Sequence, residues 1–359
     1  FGGPAPIHAS VPGTGDGGAA DILQPHSYKV RSALALVNGV VYTDFTSHCD
    51  FTDLGAYHGW LIGYNADAVT EQVGVFNVTP DGSAGSIWSS GDAPSVDEKG
   101  NLYVETSNGS FDADKGGRDY GDSILKLSGA GTPNLTVADY FTPANQDNLS
   151  NNDQDVGSAG QALLPASYGN SDHPHLLTGA DKTGEVYLLD RDKLGGYRKG
   201  KGGSNAVIQE FHAAPKTNSQ CFSTPACFNG FVYWSMVGDS IKAYRLQNGR
   251  YLTRPSSQTF ETFDFPGCVP SVSSNGNRDG ILWAIQSGKT GVLRAYDAAD
   301  LDHELYNSAQ AAKGRDRVGS PSNKFTPPTI VNGKVYVPTT DNLVVYGLLH
   351  GHPHRVKGH

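Results

Sequence analysis

The stretch STPACFNGFVYWSM (223–236), followed by DSIKAYRL (239–246), decides the fold. It contains short apolar runs, and Asn229-Gly230 separates the first from the second. An Asn-Gly pair between apolar runs is a strong hairpin signal, because both residues tolerate the positive φ of a tight turn. The run around Val232-Tyr233 is rich in β-branched and aromatic residues, which suit a half-buried strand.

The same unit recurs on either side. Upstream lie SALALVNGVVYTDF (32–45) with HGWLIGYNA (58–66), then APSVDEKGNLYVET (93–106) with DSILKLS (122–128). QALLPASYGNSDHPHLLTGAD (161–181) with GEVYLLDRD (184–192) comes next. Downstream are VPSVSSNGNRDGILWAIQ (269–286) with GVLRAYDAA (291–299), and TPPTIVNGKVYVPTT (326–340) with NLVVYGL (342–348). The spacing is roughly 45–60 residues, the period of four-stranded propeller blades. The chain therefore reads as all-β, a β-propeller of four-stranded antiparallel blades with about six blades, filling residues 1–349 as a single domain.

Weaker outer strands complete most units: GVFNVT (74–79), TVADYFT (136–142), AVIQEFHA (206–213), QTFETFDF (258–265) and HELYNS (303–308). The last unit lacks an outer strand, and PAPIHASV (4–11) reads as a strand with no unit before it. Residues 4–11 are therefore expected to complete the sixth blade and close the ring, leaving no exposed strand edge. The alternative is that further blades precede this sequence, or that incomplete end blades pair between chains. The opening FGGPAPIHASV reads as a strand already under way, as in a mature or trimmed chain.

Composition narrows the function. With Gly 45, Pro 20 and Met 1 in 359 residues, turns between strands outweigh helices. No apolar run approaches the roughly 18 residues of a membrane span. The net charge of −9 lacks the basic stripe that nucleic-acid binding needs. Only the tail HGHPHRVKGH (350–359) is basic and His-rich, either a disordered end or a metal-binding one.

Cys49, Cys221, Cys227 and Cys268 form no C-x-x-C, which removes support for zinc-knuckle and c-type haem readings. Two disulfides in a secreted or periplasmic protein are expected, with Cys221 and Cys268 a pairing suggested by their matching places before adjacent blades. Glycan acceptor motifs occur at Asn77, Asn108, Asn134 and Asn148.

The motifs FGGPAPIHASVPGTG, SALALVNGVVYTDFTSH, YHGWLIGYNA, NGSFDADKGGRDYGDSILKLS, YLLDRDKLGG and KFTPPTIVNGKVYVPT together resemble the PQQ-like β-propeller repeat family, the quinoprotein-dehydrogenase-like superfold, in a secreted branch. The resemblance covers roughly residues 1–349. It implies the fold and two kinds of activity, since the family includes both enzymes and non-catalytic scaffolds. Its alcohol dehydrogenases hold pyrroloquinoline quinone (PQQ) and calcium, with an adjacent-cysteine disulfide and a catalytic aspartate. This chain has no adjacent cysteines, so no functional residue is carried over.

Ligands of propellers usually sit near the axis, on the face shared by the loops that enter each blade and the loops between its second and third strands. Candidates there are His48, Cys49, Asp50 and His58, then Trp88, Asp92, Asp119 and Asp122, then Asp153, Asp155, Asp181 and Lys182, and last Arg315, Arg317 and Lys324. His48 and His58 could act as paired bases or ligands, or simply hold a loop by hydrogen bonds. Trp88 could stack on a flat cofactor or sugar, or fill the interior. Asp153 and Asp155 could hold calcium, which prefers clustered oxygens, or form a solvated acidic loop. Asp122 and Asp181 fit Asx-turns that accept backbone N–H groups. Lys182 and Lys324 could meet an anionic ligand such as a carboxylated quinone. His173 and His175 fall on the opposite face. Two functions follow: a quinone-dependent oxidoreductase acting on alcohols or sugars, or a non-catalytic propeller that binds a small molecule, carbohydrate or protein and could self-assemble.

Overall fold

The computed structural model describes residues 4–15, 20–23, 27–48, 57–198, 205, 207–214 and 219–349. Cys49, Asp50 and the tail 350–359 lie outside them. Six antiparallel blades form a propeller, with one short α-helix at Gln146–Asn151.

Blade 1 runs through Ala35–Val37, Val40–Ser47, Trp60–Asn65 and Gln72–Asn77, with Tyr28–Lys29 on the far end of its second strand. Blade 2 uses Ser95–Val96, Leu102–Glu105, Ile124–Ser128 and Thr136–Thr142, and Gly196–Tyr197 adds in parallel outside them. Blade 3 is built from Ala162–Leu163, Leu176–Ala180, Glu185–Asp190 and Gln209–His212. Blade 4 comprises Ala226–Phe228, Phe231–Ser235, Asp239–Gln247 and Ser257–Phe263, and blade 5 Ser271–Asn275, Arg278–Gln286, Val292–Asp297 and Asp300–Asn307. Blade 6 has only Thr329–Val331, Lys334–Pro338 and Leu343–Gly347 among the described residues.

The Asn-Gly turns are where the sequence places them. Asn38-Gly39, Asn229-Gly230 and Asn332-Gly333 take φ of 50 and 76, 47 and 87, and 51 and 70°. These left-handed pairs match the twist of the flanking strands and fix the register of three blades.

The core lies between blades. Tyr42, Leu61 and Phe76 of blade 1 pack on Leu102, Val104 and Leu125 of blade 2. Similar apolar seams join blades 2 and 3, 3 and 4, 4 and 5, and 5 and 6. Each fully buried Leu or Val there stabilises by about 1.5–3 kcal/mol relative to exposure.

The expected closure by residues 4–11 is not what forms. Ser10–Pro12 pairs with Ala20–Ile22 as a hairpin. Ile7, Ala9, Val11 and Leu23 pack on Phe45, Trp60 and Ile62, so this segment covers the second face of blade 1 instead of joining blade 6. Apolar burial decides the outcome: Trp60 and Ile62 are fully buried beneath it. The matching face of blade 6 leaves Val331, Leu343 and Val345 at 47, 61 and 47% exposure. Blade 6 meets the entries of blades 1 and 2 near the axis, where Arg31 stacks on Phe325 and Gly91 abuts Pro327.

The expected disulfides are also absent from the described cysteines: Cys221, Cys227 and Cys268 are free. Cys221 bridges strand-like to Met236 inside blade 4, and the backbone N–H of Cys268 donates to Ser235 Oγ. Burial pushes both thiols up to about 12.

Candidate functional site

The connections that enter the blades converge on one another at the axis. Arg31, just ahead of blade 1, reaches three other blades. Its Nε donates to the Trp88 carbonyl at 3.2 Å, and its Nη2 to Ser90 Oγ at 2.8 Å and the Ser158 carbonyl at 2.9 Å. Its guanidinium lies 4.6 Å from the Trp88 ring and 4.2 Å from the Phe325 ring. A planar cation stacks well between rings while its edge donates hydrogen bonds, a combination a lysine cannot reproduce. Thr224 Oγ1, ahead of blade 4, donates to the Ser90 carbonyl at 2.9 Å, tying blade 4 to blade 2.

Around Arg31 the mouth is aromatic and cationic. Phe222, Phe265 and Phe325 form an edge-on cluster with centroids 5.6, 5.6 and 6.3 Å apart. Lys29 Nζ sits 4.9 Å over Trp88, Lys324 Nζ 5.0 Å over Phe265, and Lys182 Nζ 5.8 Å over Phe222. Phe265 is 49% exposed, whereas Trp88 and Phe222 are buried.

Beneath the mouth lie buried carboxyls. Asp44, Glu105 and Asp181 stand on or just past the second strands of blades 1, 2 and 3, and Asp92 stands at the entry to blade 2. Burial raises Asp44 to about 7, against the lowering pull of the Ser32 hydroxyl and Arg31. Burial also holds Asp92 and Glu105 well above the carboxylate range, helped by repulsion from Asp44 on the first and from Asp92 and Asp181 on the second. Neither carboxyl oxygen of Glu105, nor Oδ2 of Asp44 or Asp92, has a hydrogen-bond partner among the described residues. Burial therefore favours the neutral acid at Asp92 and Glu105, since an unpaired buried charge is far costlier than a neutral acid, while Asp44, at about 7, is divided between its two forms at neutral pH.

The remaining candidates fall into place. His48 ends its strand, exposed, and its carbonyl accepts from Lys29 Nζ. His58 is buried, with Nδ1 2.8 Å from the Thr79 carbonyl and 3.1 Å from Thr79 Oγ1, so the two histidines play different parts. Lys182 lies between Asp153 and Asp155, at 2.8 and 3.3 Å. Burial works against its ammonium, but Asp155 and Asp153 more than offset this and its pKa is raised. The two carboxylates suggested for calcium thus face an ammonium. Asp181 makes the Asx-turn read from sequence, with Oδ1 accepting from the Thr183 N–H at 2.9 Å. Asp122 accepts from the Val156 N–H at 3.2 Å, and Asp119 from the Asp81 N–H at 3.0 Å. Arg315 and Arg317, read as mouth residues, instead line a groove beside blade 6. His173 and His175 pair with Asp190 and Asp192. Among the acceptor motifs, Asn77 is buried with Oδ1 taking the Thr79 N–H, Asn108 bonds Asp153, and Asn134 and Asn148 are exposed.

The residues present do not fit a bound quinone at this cavity. The cavity lined by Phe222, Gly267, Cys268, Ile285, Asn323 and Phe325 measures about 10 Å³. That is room for about one water, whereas small-molecule sites run to roughly 300–1,000 Å³. No group of three or more His, Cys, Asp or Glu side chains among the described residues is placed to hold a metal. The described helices include none long and apolar enough to cross a membrane.

Comparison with solved structures places the fold. The WD40 domain of Toxoplasma gondii coronin is 11% identical with a TM-score of 0.54, covering 89% of this chain and 68% of that one. The quinohaemoprotein alcohol dehydrogenase of Comamonas testosteroni is 15% identical with a TM-score of 0.53, covering 86% of this chain and 56% of its own. The corresponding enzyme ADHIIG of Pseudomonas putida HK5 is 16% identical with a TM-score of 0.52, covering 86% and 55%. This chain spans little more than half the length of both dehydrogenases. No family model and no curated sequence matches it. The fold is that of the PQQ-like and WD40 propellers alike, and at these identities it does not choose between a dehydrogenase and a scaffold.

Proposed function

We propose that the chain is a non-catalytic binding propeller whose mouth receives an acidic carbohydrate. One observation carries the reading: the half-exposed Phe265, with Lys324 over its ring, opens onto the cationic, aromatic cluster of Arg31, Trp88, Phe222 and Phe325. A sugar ring buries its apolar C–H face on such a phenylalanine, and its carboxylate pairs with the lysine. Burial shifts the acids beneath toward their neutral forms, which lessens the charge that would repel it. Support for the quinone-dependent oxidoreductase is the fold shared with two alcohol dehydrogenases. A cavity that admits one water encloses neither a quinone nor a sugar, but a sugar can lie on the open surface of Phe265 and Lys324, so no redox step is derived.

Thermal unfolding with an oligogalacturonate, a neutral oligosaccharide, and PQQ with calcium separates the readings. A ligand that binds only the folded chain at about 100 times its Kd adds roughly 2.7 kcal/mol. The oligogalacturonate is expected to raise the midpoint, with the effect lost in Phe265→Ala and Lys324→Glu. A rise that needs both quinone and calcium, with none from the uronate, would replace this reading with the dehydrogenase.

A further inference from the structure

We infer that a cleft on the rim of the ring, between the outer strands of blades 1 and 2, is a binding site for a small aliphatic carboxylate. It is separate from the mouth and does not rest on the reading given for the mouth. The cleft measures about 320 Å³, far more than the cavity at the mouth. That volume falls within the roughly 300–1,000 Å³ of small-molecule sites. Val75 and Phe76 wall it from blade 1, Leu135 and Val137 from blade 2, and Val11 and Pro12 from the hairpin that covers blade 1.

The walls are preformed, and Asp81 ties them together. Its Oδ1 accepts from the Thr14 N–H at 3.1 Å and from Thr14 Oγ1 at 3.2 Å, which holds the hairpin in place. Its two oxygens take Arg118 Nε and Nη2 at 2.9 and 2.8 Å, and its own N–H donates to Asp119 Oδ1 at 3.0 Å. Beside it the Gly15 N–H donates to the Pro80 carbonyl at 3.0 Å, and Gly13 lies so close to that carbonyl that no Cβ would fit. A cleft fixed in this way spares the ligand the cost of ordering its receptor.

Polarity chooses the ligand. Arg118 and Tyr120, two residues apart, supply donors at one end of the cleft. The Tyr120 N–H donates to the Val78 carbonyl at 2.9 Å, which fixes this end just past the strand Gln72–Asn77. Leu135 and Val137 stand at the start of Thr136–Thr142, the corresponding strand of the next blade, so they mark the opposite, apolar end. A guanidinium carries five N–H donors and Asp81 takes two. Arg118 Nη1 and the Tyr120 hydroxyl have no hydrogen-bond partner among the described residues. Among the described residues no carboxylate lines the cleft. A hydrocarbon alone would leave both donors unpaired, and a cation would meet Arg118. A carboxylate accepts from both donors while its alkyl chain covers the walls.

The test is equilibrium dialysis of the whole chain, at neutral pH, against radiolabelled hexanoate, octanoate, decanoate and octanol. Octanoate should bind, and each further methylene should tighten binding about fourfold. Val137 is half-buried on an outer strand, so Val137→Glu should abolish binding in a chain that still unfolds at the wild-type midpoint. Arg118→Gln should weaken octanoate about tenfold more than octanol. An excess of oligogalacturonate should leave octanoate bound. No binding of any of the three acids to the folded chain, or binding that survives Val137→Glu, overturns the site. Displacement of octanoate by oligogalacturonate overturns it too, because the acid would then sit at the mouth. Octanol binding as tightly as octanoate, with Arg118→Gln weakening both alike, overturns the carboxylate in favour of a neutral apolar ligand.

Discussion

Asp44 makes the stability of this propeller depend on pH, and Asp44→Asn should remove its share. Its side chain is fully buried. Oδ1 accepts from Ser32, Oδ2 accepts from nothing described, and the acid is raised from an ordinary 3.8 to about 7. The sign follows from proton binding. Between about pH 4 and pH 7 the unfolded chain has released this proton and the folded chain keeps it, so the unfolded state binds fewer protons and stability falls as pH rises. One proton corresponds to about 1.4 kcal/mol per pH unit, so the roughly three-unit shift costs about 4 kcal/mol by neutral pH. Asn carries no proton to lose, and its amide keeps the shape. Urea unfolding at about pH 4 and about pH 8 should then show a wild-type loss about 4 kcal/mol greater than that of Asp44→Asn. Asp92, Glu105, Asp122 and Asp181 are raised as well and add to the slope in both proteins, which is why the difference is the quantity to read. Identical pH slopes for the two proteins would refute the argument that Asp44 is held protonated by burial.

Other consequences are open to direct measurement. Arg31→Ala removes three hydrogen bonds, to the entries of blades 2 and 3, and two ring contacts, and should destabilise by about 3 kcal/mol or more in urea, with Arg31→Lys recovering only part; a change below about 0.5 kcal/mol would show that the axis is held elsewhere. Gly179→Ala drives a methyl into Glu105 Oε1 and should cost about 1–3 kcal/mol, while adding Glu105→Ala to it should recover much of that loss; an additive double mutant would contradict the contact. Cys221 and Cys268 should resist a thiol reagent in the folded chain at neutral pH and react after unfolding, because burial pushes both up to about 12; rapid native labelling of either would count against their burial.

The blades were legible because their signal is local. An Asn-Gly turn such as Asn332-Gly333 and the strand that follows it lie within a few residues of each other, and hairpin physics acts at that range. The partner of a lone strand is not local. PAPIHASV reads as a strand, but only Ser10 and Val11 of it enter one; the face of blade 1 bearing Trp60 and Ile62 claimed the segment, and no pattern in residues 4–11 distinguishes that face from blade 6. The site was legible in part. Trp88 lies against Arg31 and Lys324 over Phe265, and Lys182, Asp153 and Asp155 come together as an ion-paired set. Arg31, Phe222, Phe265 and Phe325 were missed because each blade entry supplies only one or two of them, more than 40 residues apart for most pairs. The shared signal was their position, just ahead of a first strand. Asp44 and Glu105 were missed because an acid inside an apolar strand looks like an exposed one until its neighbours are known.

The separate placement of residues 4–23 and blade 6 has a mechanical consequence. In a ring whose two ends share a blade, tension between the ends shears several backbone bonds at once. Here residues 4–23 pack on blade 1 and residue 349 follows the outer strand of blade 6, and a pull between residue 4 and residue 349 bears on the stacking of Arg31 against Phe325 and the abutment of Gly91 with Pro327. Beyond that seam, a pull at residue 349 loads Leu343–Gly347 from Gly347 and parts it from Lys334–Pro338 one pair at a time. Against this pull the described residues set paired strands within each blade and side-chain packing between blade 6 and its neighbours at the axis.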